Sequence, residues 1–175
     1  MSTLMLPSTA PGFDDPLGML HACHQKIDRQ LDTLDRLRRH VALQHADEQA
    51  RNAATKIIRY FTTAAPNHHA DEDLSLFPRL LSAAPELSST IASLERDHAD
   101  IDARWRRLNP CLSSIAAASG AYLSPWDVNQ FCELNRMHIA REEREILDVA
   151  AELLGAEALT AIGREMARRR ERLGS

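Results

Sequence analysis

Apolar residues recur three or four positions apart along four long stretches of this chain, and a histidine breaks each stripe. The first stripe runs Leu17, Leu20, His24, Ile27, Leu31, Leu34, Val41, and the second Ala53, Ile57, Phe61, Ala64, His68, Glu72, Leu76. The third is Ile91, Leu94, His98, Ile101, Trp105, Leu108, Leu112, Ile115. The fourth is Val128, Phe131, Asn135, His138, Glu142, Ile146, Val149, Leu153. A period near 3.6 marks one face of an α-helix, and no stretch alternates as a half-buried strand would. The expected fold is therefore all-α, an up-down-up-down four-helix bundle with a short fifth helix at the C-terminus.

Capping and breaking residues set the expected ends. Asp15 reads as an N-cap with Pro16 in the first helical position, and Ser124 of "SPWD" caps the fourth helix. The second helix starts near Asp47. Pro66 is expected to interrupt it, leaving a reoriented piece over 67–77 that stops at Phe77-Pro78. The third follows Pro85, bends at Pro110 and stops at Gly120. Gly155 breaks the fourth, and the fifth ends in the basic "RRRER". The expected units are a loose arm at 1–13, the bundle over 14–155, and a helix with a basic tail over 156–175.

Composition narrows the class. A chain of 175 residues, 44% hydrophobic and 26% charged, suits one soluble globular domain. A net charge of −4 gives no electrostatic footprint for nucleic acid. No apolar run approaches the ~18 residues of a membrane span, and the opening residues lack the features of a secretory signal. Three cysteines, Cys23, Cys111 and Cys132, show no C-x-x-C spacing and fit a reducing compartment. The expectation is a cytoplasmic protein without nucleic-acid or membrane partners.

The gaps in the stripes carry the chemistry. An unpaired polar group in a core costs about 1–3 kcal/mol, and an unpaired ion more, so imidazoles and carboxylates on buried seams need a partner there. The gaps also repeat. "CHQKID" (23–28) parallels "DHADID" (97–102), and "HHADED" (68–73) parallels "HIAREE" (138–143). Each half thus gives one histidine and then a His-x-x-x-Glu pair. Two hairpins related by an approximate two-fold would bring two equivalent ligand sets to one core, which implies two metal ions. Imidazole suits iron, zinc and similar metals, and a carboxylate can bridge two cations. Two histidines per ion with two shared carboxylates leave positions open for water, dioxygen or another small ligand. Open positions favour iron over a closed structural site, with manganese and zinc as alternatives.

These motifs, "HACHQKID", "HHADEDLSLFPRL", "ERDHADI" and "HIAREEREIL", resemble the hemerythrin-like, HHE cation-binding domain family over about 15–155. The resemblance implies a four-helix bundle holding an oxo- or hydroxo-bridged non-haem di-iron centre. Its ligands would be His24, His68, Glu72, His98, His138 and Glu142, with the two glutamates bridging. The oxygen-carrying members have a His-x-x-x-His pair in the third helix; here Leu94 and Asp102 flank His98 at that spacing. The pattern is closer to the four-histidine, two-glutamate branch of sensors and of nitric oxide or peroxide handlers. A small-ligand-binding or sensing di-iron protein is the leading expectation. The alternatives are an enzyme reducing nitric oxide or peroxide, and a metal-stapled bundle whose basic tail docks a partner.

Other residues near the seams draw lesser expectations. His21 reads as a replacement ligand or a hydrogen-bonding neighbour of the site, and His69 as a rim group. Asp28 and Asp102 read as neighbours of the ligands or as solvated acids. Cys23 and Cys132 read as small core fillers, Trp105 and Tyr60 as core or pocket wall, and Arg141 and Arg144 as a solvated face.

Overall fold

The computed structural model describes residues 11–120 and 122–172, and every regular element among them is helical. The first rod is α1 (Pro16–Leu43), capped by Asp15, whose carboxylate accepts the Gly18 N–H at 3.0 Å. The second rod is α2 (Glu48–Arg59), α3 (Ala65–Asp71) and α4 (Phe77–Ala83), joined by wide π-turns at Tyr60–Ala64 and Glu72–Leu76. The third is α5 (Ser88–Ala116). The fourth is α6 (Pro125–Glu142), a π-turn at Glu143–Leu147, and α7 (Asp148–Leu153). The fifth helix, α8, is Ala156–Glu171. α1 packs on α2 and α6, and α5 packs on the same two, which closes the up-down-up-down ring.

The second rod runs through both of its prolines, contrary to the interruption at Pro66 and the stop at Phe77-Pro78 that the sequence suggests. The Ala65 N–H reaches back five residues to the Tyr60 carbonyl, and the Phe77 N–H likewise to Glu72. Pro66 and Pro78 follow these residues directly. A wide turn displaces the carbonyls that a proline ring would strike and needs no N–H from it. The helix therefore absorbs each proline.

The end of α5 also differs from the expected stop at Gly120. The Ser119 N–H donates to Ser114 O at 2.9 Å and the Ala118 N–H to Ile115 O at 3.0 Å. This closure puts one residue in the left-handed region, and that residue is Ala118, at φ 54. A side chain there costs about 1–2 kcal/mol, partly offset by the freedom glycine loses on folding. Ala118→Gly should therefore stabilise the protein by roughly 0.5–1 kcal/mol, read as a rise in the urea unfolding midpoint with an unchanged slope.

Two apolar clusters occupy the interior. One holds Ile27, Leu31, Leu34, Ile57, Leu112 and the packed rings of Phe61, Trp105 and Phe131, whose centroids lie 5.1–6.0 Å apart. The other holds Leu20, Leu76, Phe77, Leu80, Ile91, Leu94 and Ile146. α8 belongs to this second core, because Ile162 and Met166 are fully buried in it. Each such side chain contributes roughly 1.5–3 kcal/mol of burial. Of the expected arm, residues 1–10 lie outside the described residues. Phe13 lies against α8, its carbonyl so near Gly163 that a Cβ there would come to 1.9 Å.

Candidate metal centre

Between the two apolar clusters lies a layer of polar side chains, and no neighbouring backbone supplies it with partners. His24 on α1, His68 and Glu72 on the second rod, His98 on α5, and His138 and Glu142 on the fourth rod are each at most 5% exposed. The structure brings all six together. His68 Nε2 lies 3.0 Å from Glu72 Oε1, His98 Nε2 lies 3.2 Å from Glu72 Oε2, and His24 Nε2 lies 3.2 Å from Glu142 Oε2. His138 Nε2 lies 3.5 Å from the same Glu142 oxygen. Two donor groups result, one of His24, His68, Glu72 and Glu142, the other of Glu72, His98 and His138. Glu72 belongs to both, one oxygen facing each.

These donors crowd together, yet most do not bond to one another. Both oxygens of Glu72, both of Glu142, and the Nε2 atoms of His24 and His68 are buried without a hydrogen-bond partner. Ligands bound at ~2.1 Å to a common ion stand roughly 3–4 Å apart, which is the spacing observed. Imidazole with carboxylate is a donor set for iron, zinc or manganese. The residues fit a metal cation.

A ring of outer groups lies behind the imidazoles and holds two of them, His24 and His98, by hydrogen bonds. His24 Nδ1 meets Glu143 at 3.1 Å and His98 Nδ1 meets Asp73 at 2.8 Å, whereas His138 Nδ1 lies 3.5 Å from Asp97 and makes no hydrogen bond. Such partners orient a ligating imidazole and raise its basicity. Arg141 pairs with Asp97 at 2.6 Å and with Ser93, so it belongs to this ring rather than to the solvated face expected for it. Arg144 pairs with its neighbour Glu145 and is exposed. Asp28 and Asp102 turn outward, to Arg136 and Arg106. His21 shares Glu143 with His24, at 3.2 Å. Sequence reasoning passed over Asp73, Asp97 and Glu143. Each is adjacent to a candidate ligand in sequence, but each faces a histidine on the next rod.

Electrostatics follow from burial and this pairing. Burial disfavours a charged His24, yet Glu142 and Glu72 outweigh it and raise the imidazole to about 11. The same contest leaves His68 raised to about 9, through Glu72, and His98 to about 10, through Asp73 and Glu72. Burial and the neighbouring His98 instead push His138 down to about 3. Burial resists ionisation of Glu72, but His68, His24 and His98 hold it well below the usual carboxylate range. Burial and the charge of Glu72 raise Glu142. At neutral pH the metal-free site thus carries protons on His24, His68 and His98, which a cation must displace. Metal affinity should fall as pH drops through about 11 to 9 and keep falling towards neutrality, and loading in weak buffer should release protons, measurable by calorimetry in buffers of different ionisation enthalpy.

A cavity of about 330 Å³ opens beside this layer, walled by Phe61, Ala65 and Trp105 and reaching Asp73, His69 and His98. His69 stacks on His98, with ring centroids 4.1 Å apart and planes 13° apart. Trp105 is thus both core and pocket wall.

A helical ring around a layer of imidazoles and carboxylates defines a class, the cation-binding four-helix bundles. The Hemerythrin HHE cation binding domain matches residues 15–150, and the chain belongs to that family. It is similar to an uncharacterized protein of Haemophilus influenzae, 30% identical over 168 residues, which is 96% of this chain and 97% of the relative.

Proposed function

We propose that this chain is a non-haem di-iron protein whose two ions share Glu72 and Glu142 and bind or sense dioxygen, nitric oxide or peroxide. The observation that carries the reading is the set of four buried carboxylate oxygens without hydrogen-bond partners, faced by imidazoles from all four rods. His24 and His68 would hold one ion, and His98 and His138 the other. Two histidines and two shared carboxylates leave each ion short of six ligands, so a small ligand has somewhere to bind. Bound iron would supply one-electron chemistry at those open positions. The chain's own residues orient His24 and His98 through Glu143 and Asp73, exclude bulk water with the two apolar clusters, and admit a small neutral ligand through the cavity beside His98.

Three free cysteines support a reducing compartment, the cytoplasm. No helix among the described residues is long and apolar enough to cross a membrane. Electrons or an output signal would come from a separate reductase or protein partner. Docking through the basic tail is the weaker reading, because Arg169 and Arg170 are engaged within the chain by Asp71. Residues 173–175 of that tail lie outside the described residues.

The test is spectroscopic. Iron-loaded protein, reduced without air, is exposed in turn to dioxygen, nitric oxide and hydrogen peroxide. A new charge-transfer band with at least one of them is the expected result, and sustained consumption of nitric oxide or peroxide would mark an enzyme. Silence towards all three would overturn the small-ligand reading.

A further inference from the structure

Two cavities flank the donor layer, and the internal two-fold exchanges them. Adding 74 takes His24 and Asp28 to His98 and Asp102; subtracting 70 takes Arg136, Ile139, Ala140 and Glu143 to Pro66, His69, Ala70 and Asp73. The former of each pair except Pro66's mates lie in one wall set: His24, Asp28, Arg136, Ile139, Ala140 and Glu143 line a cavity of about 280 Å³. Their counterparts line the cavity of about 330 Å³ beside His98. The same contact recurs at both, an acid of the neighbouring rod on the histidine Nδ1: Glu143 on His24 at 3.1 Å, Asp73 on His98 at 2.8 Å. The chain thus carries two copies of one pocket, one against each donor group.

The copies differ in what crosses and lines them. At the His24 copy, Arg136 reaches over to α1, donating to Asp28 at 2.9 Å and to Asp32 at 2.7 Å. At the His98 copy the matching residue is Pro66, which has no side-chain donor, and Asp102 turns to Arg106 on its own helix, at 3.0 Å. No ion pair bridges this mouth, and the cavity runs on to the buried Phe61, Ile101 and Trp105. Where Ile139 stands in one copy, His69 stands in the other. Its ring stacks on His98 and lies 6.1 Å from that of His138. The donors differ in the same sense, with three gathered as Glu72, His98 and His138 against four at the other end.

We propose that the two ions are not equivalent: a small uncharged diatomic molecule binds at the ion of His98 and His138, through the pocket beside it, and His69 is the residue of that pocket that contacts it. The inference rests on the di-iron reading above and goes beyond it in assigning which ion reacts. An ion with fewer protein donors keeps more open positions. Apolar walls admit a neutral diatomic, whereas a charged ligand would lose its hydration there. An imidazole keeps an N–H in either tautomer, so His69 can donate a hydrogen bond to the bound molecule, which Ile139 cannot. The copy over His24, crossed by Arg136, stays closed.

The test follows nitric oxide binding to the iron-loaded, reduced full-length chain by stopped flow. Ala70 and Ala140 occupy matching places in the two cavities, so Ala70→Trp and Ala140→Trp each fill one. Ala70→Trp should slow association by roughly tenfold, and Ala140→Trp should leave it unchanged. His69→Ile, which copies the other half, should keep its iron, speed dissociation by about tenfold for the loss of one hydrogen bond, and shift the N–O stretch of the bound molecule. Xenon, which enters apolar cavities, gives a readout independent of iron. In the zinc-loaded chain it should move the Ile101 methyl resonances, leave those of Ile139 in place, and lose this effect in Ala70→Trp. Should Ala70→Trp not fold, Ala70→Leu decides in its place. Nitric oxide binding that is indifferent to position 70, or slowed by Ala140→Trp instead, overturns the assignment and leaves the di-iron reading standing. A loaded chain that binds no nitric oxide overturns the assignment too. A chain that takes up no iron overturns the di-iron reading, and this proposal with it.

Discussion

Glu72→Ala should strip the protein of metal at both positions, because Glu72 presents one oxygen to each donor group. Metal content after desalting is expected to fall from two ions per chain to less than one. A cation present at a thousandfold over its Kd contributes about 4 kcal/mol to folding, and each kcal/mol moves the midpoint of a chain this size by ~2–4 °C. The variant, having lost both cations, should therefore melt about 16–32 °C below the loaded wild type. A chelator should bring the wild type down by a similar amount and change the variant little. His45→Ala serves as the control, since His45 is exposed on the link between the first two rods, and it should leave both quantities alone. An unchanged metal content in Glu72→Ala would remove the bridge from the account.

The second large effect is expected at Asp71→Ala. Asp71 is fully buried on α3, where it accepts from Arg169 and, at 2.6 Å, from Arg170. Arg169 also reaches Ser75 at 3.0 Å, so α8 is fastened to the π-turn that carries Glu72. Removing the anion leaves two guanidinium groups in a part-buried seam, and breaking a buried pair in this way costs about 3–5 kcal/mol. Denaturant unfolding should show that loss. Hydrogen exchange should show α8 opening before the four rods, since its own apolar anchors are Ile162 and Met166. Cooperative unfolding with no earlier exchange in α8 would contradict the anchoring role.

The seams were legible because a helix repeats its facing positions every three or four residues, and a histidine replacing leucine at His24 or His98 leaves a visible gap. The approximate repeat was legible for the same reason, as two copies of one spacing. The wide turns were not. A π-turn is a backbone register change with no composition of its own, and the two prolines that mark it, Pro66 and Pro78, read locally as breaks. Nor were the outer acids. Asp73, Asp97 and Glu143 sit on the flanks of their own helices, and what they touch depends on how the rods are rotated against one another. Asp28 and Asp102 show the converse. They repeat the four-residue spacing of His68 and Glu72, but their shorter side chains stand at the rim, where Arg136 and Arg106 take them.

The proposed arrangement, two cations surrounded by six buried donors from four rods, is open to a direct test. Its most direct measurement is the metal content of the full-length protein purified without air, by elemental analysis on a concentration fixed by amino-acid hydrolysis. Two metal ions per chain, mainly iron, are expected, and both should be lost in Glu72→Ala. A protein that emerges metal-free, takes up no iron, manganese or zinc on reconstitution and is no less stable for it would contradict the account.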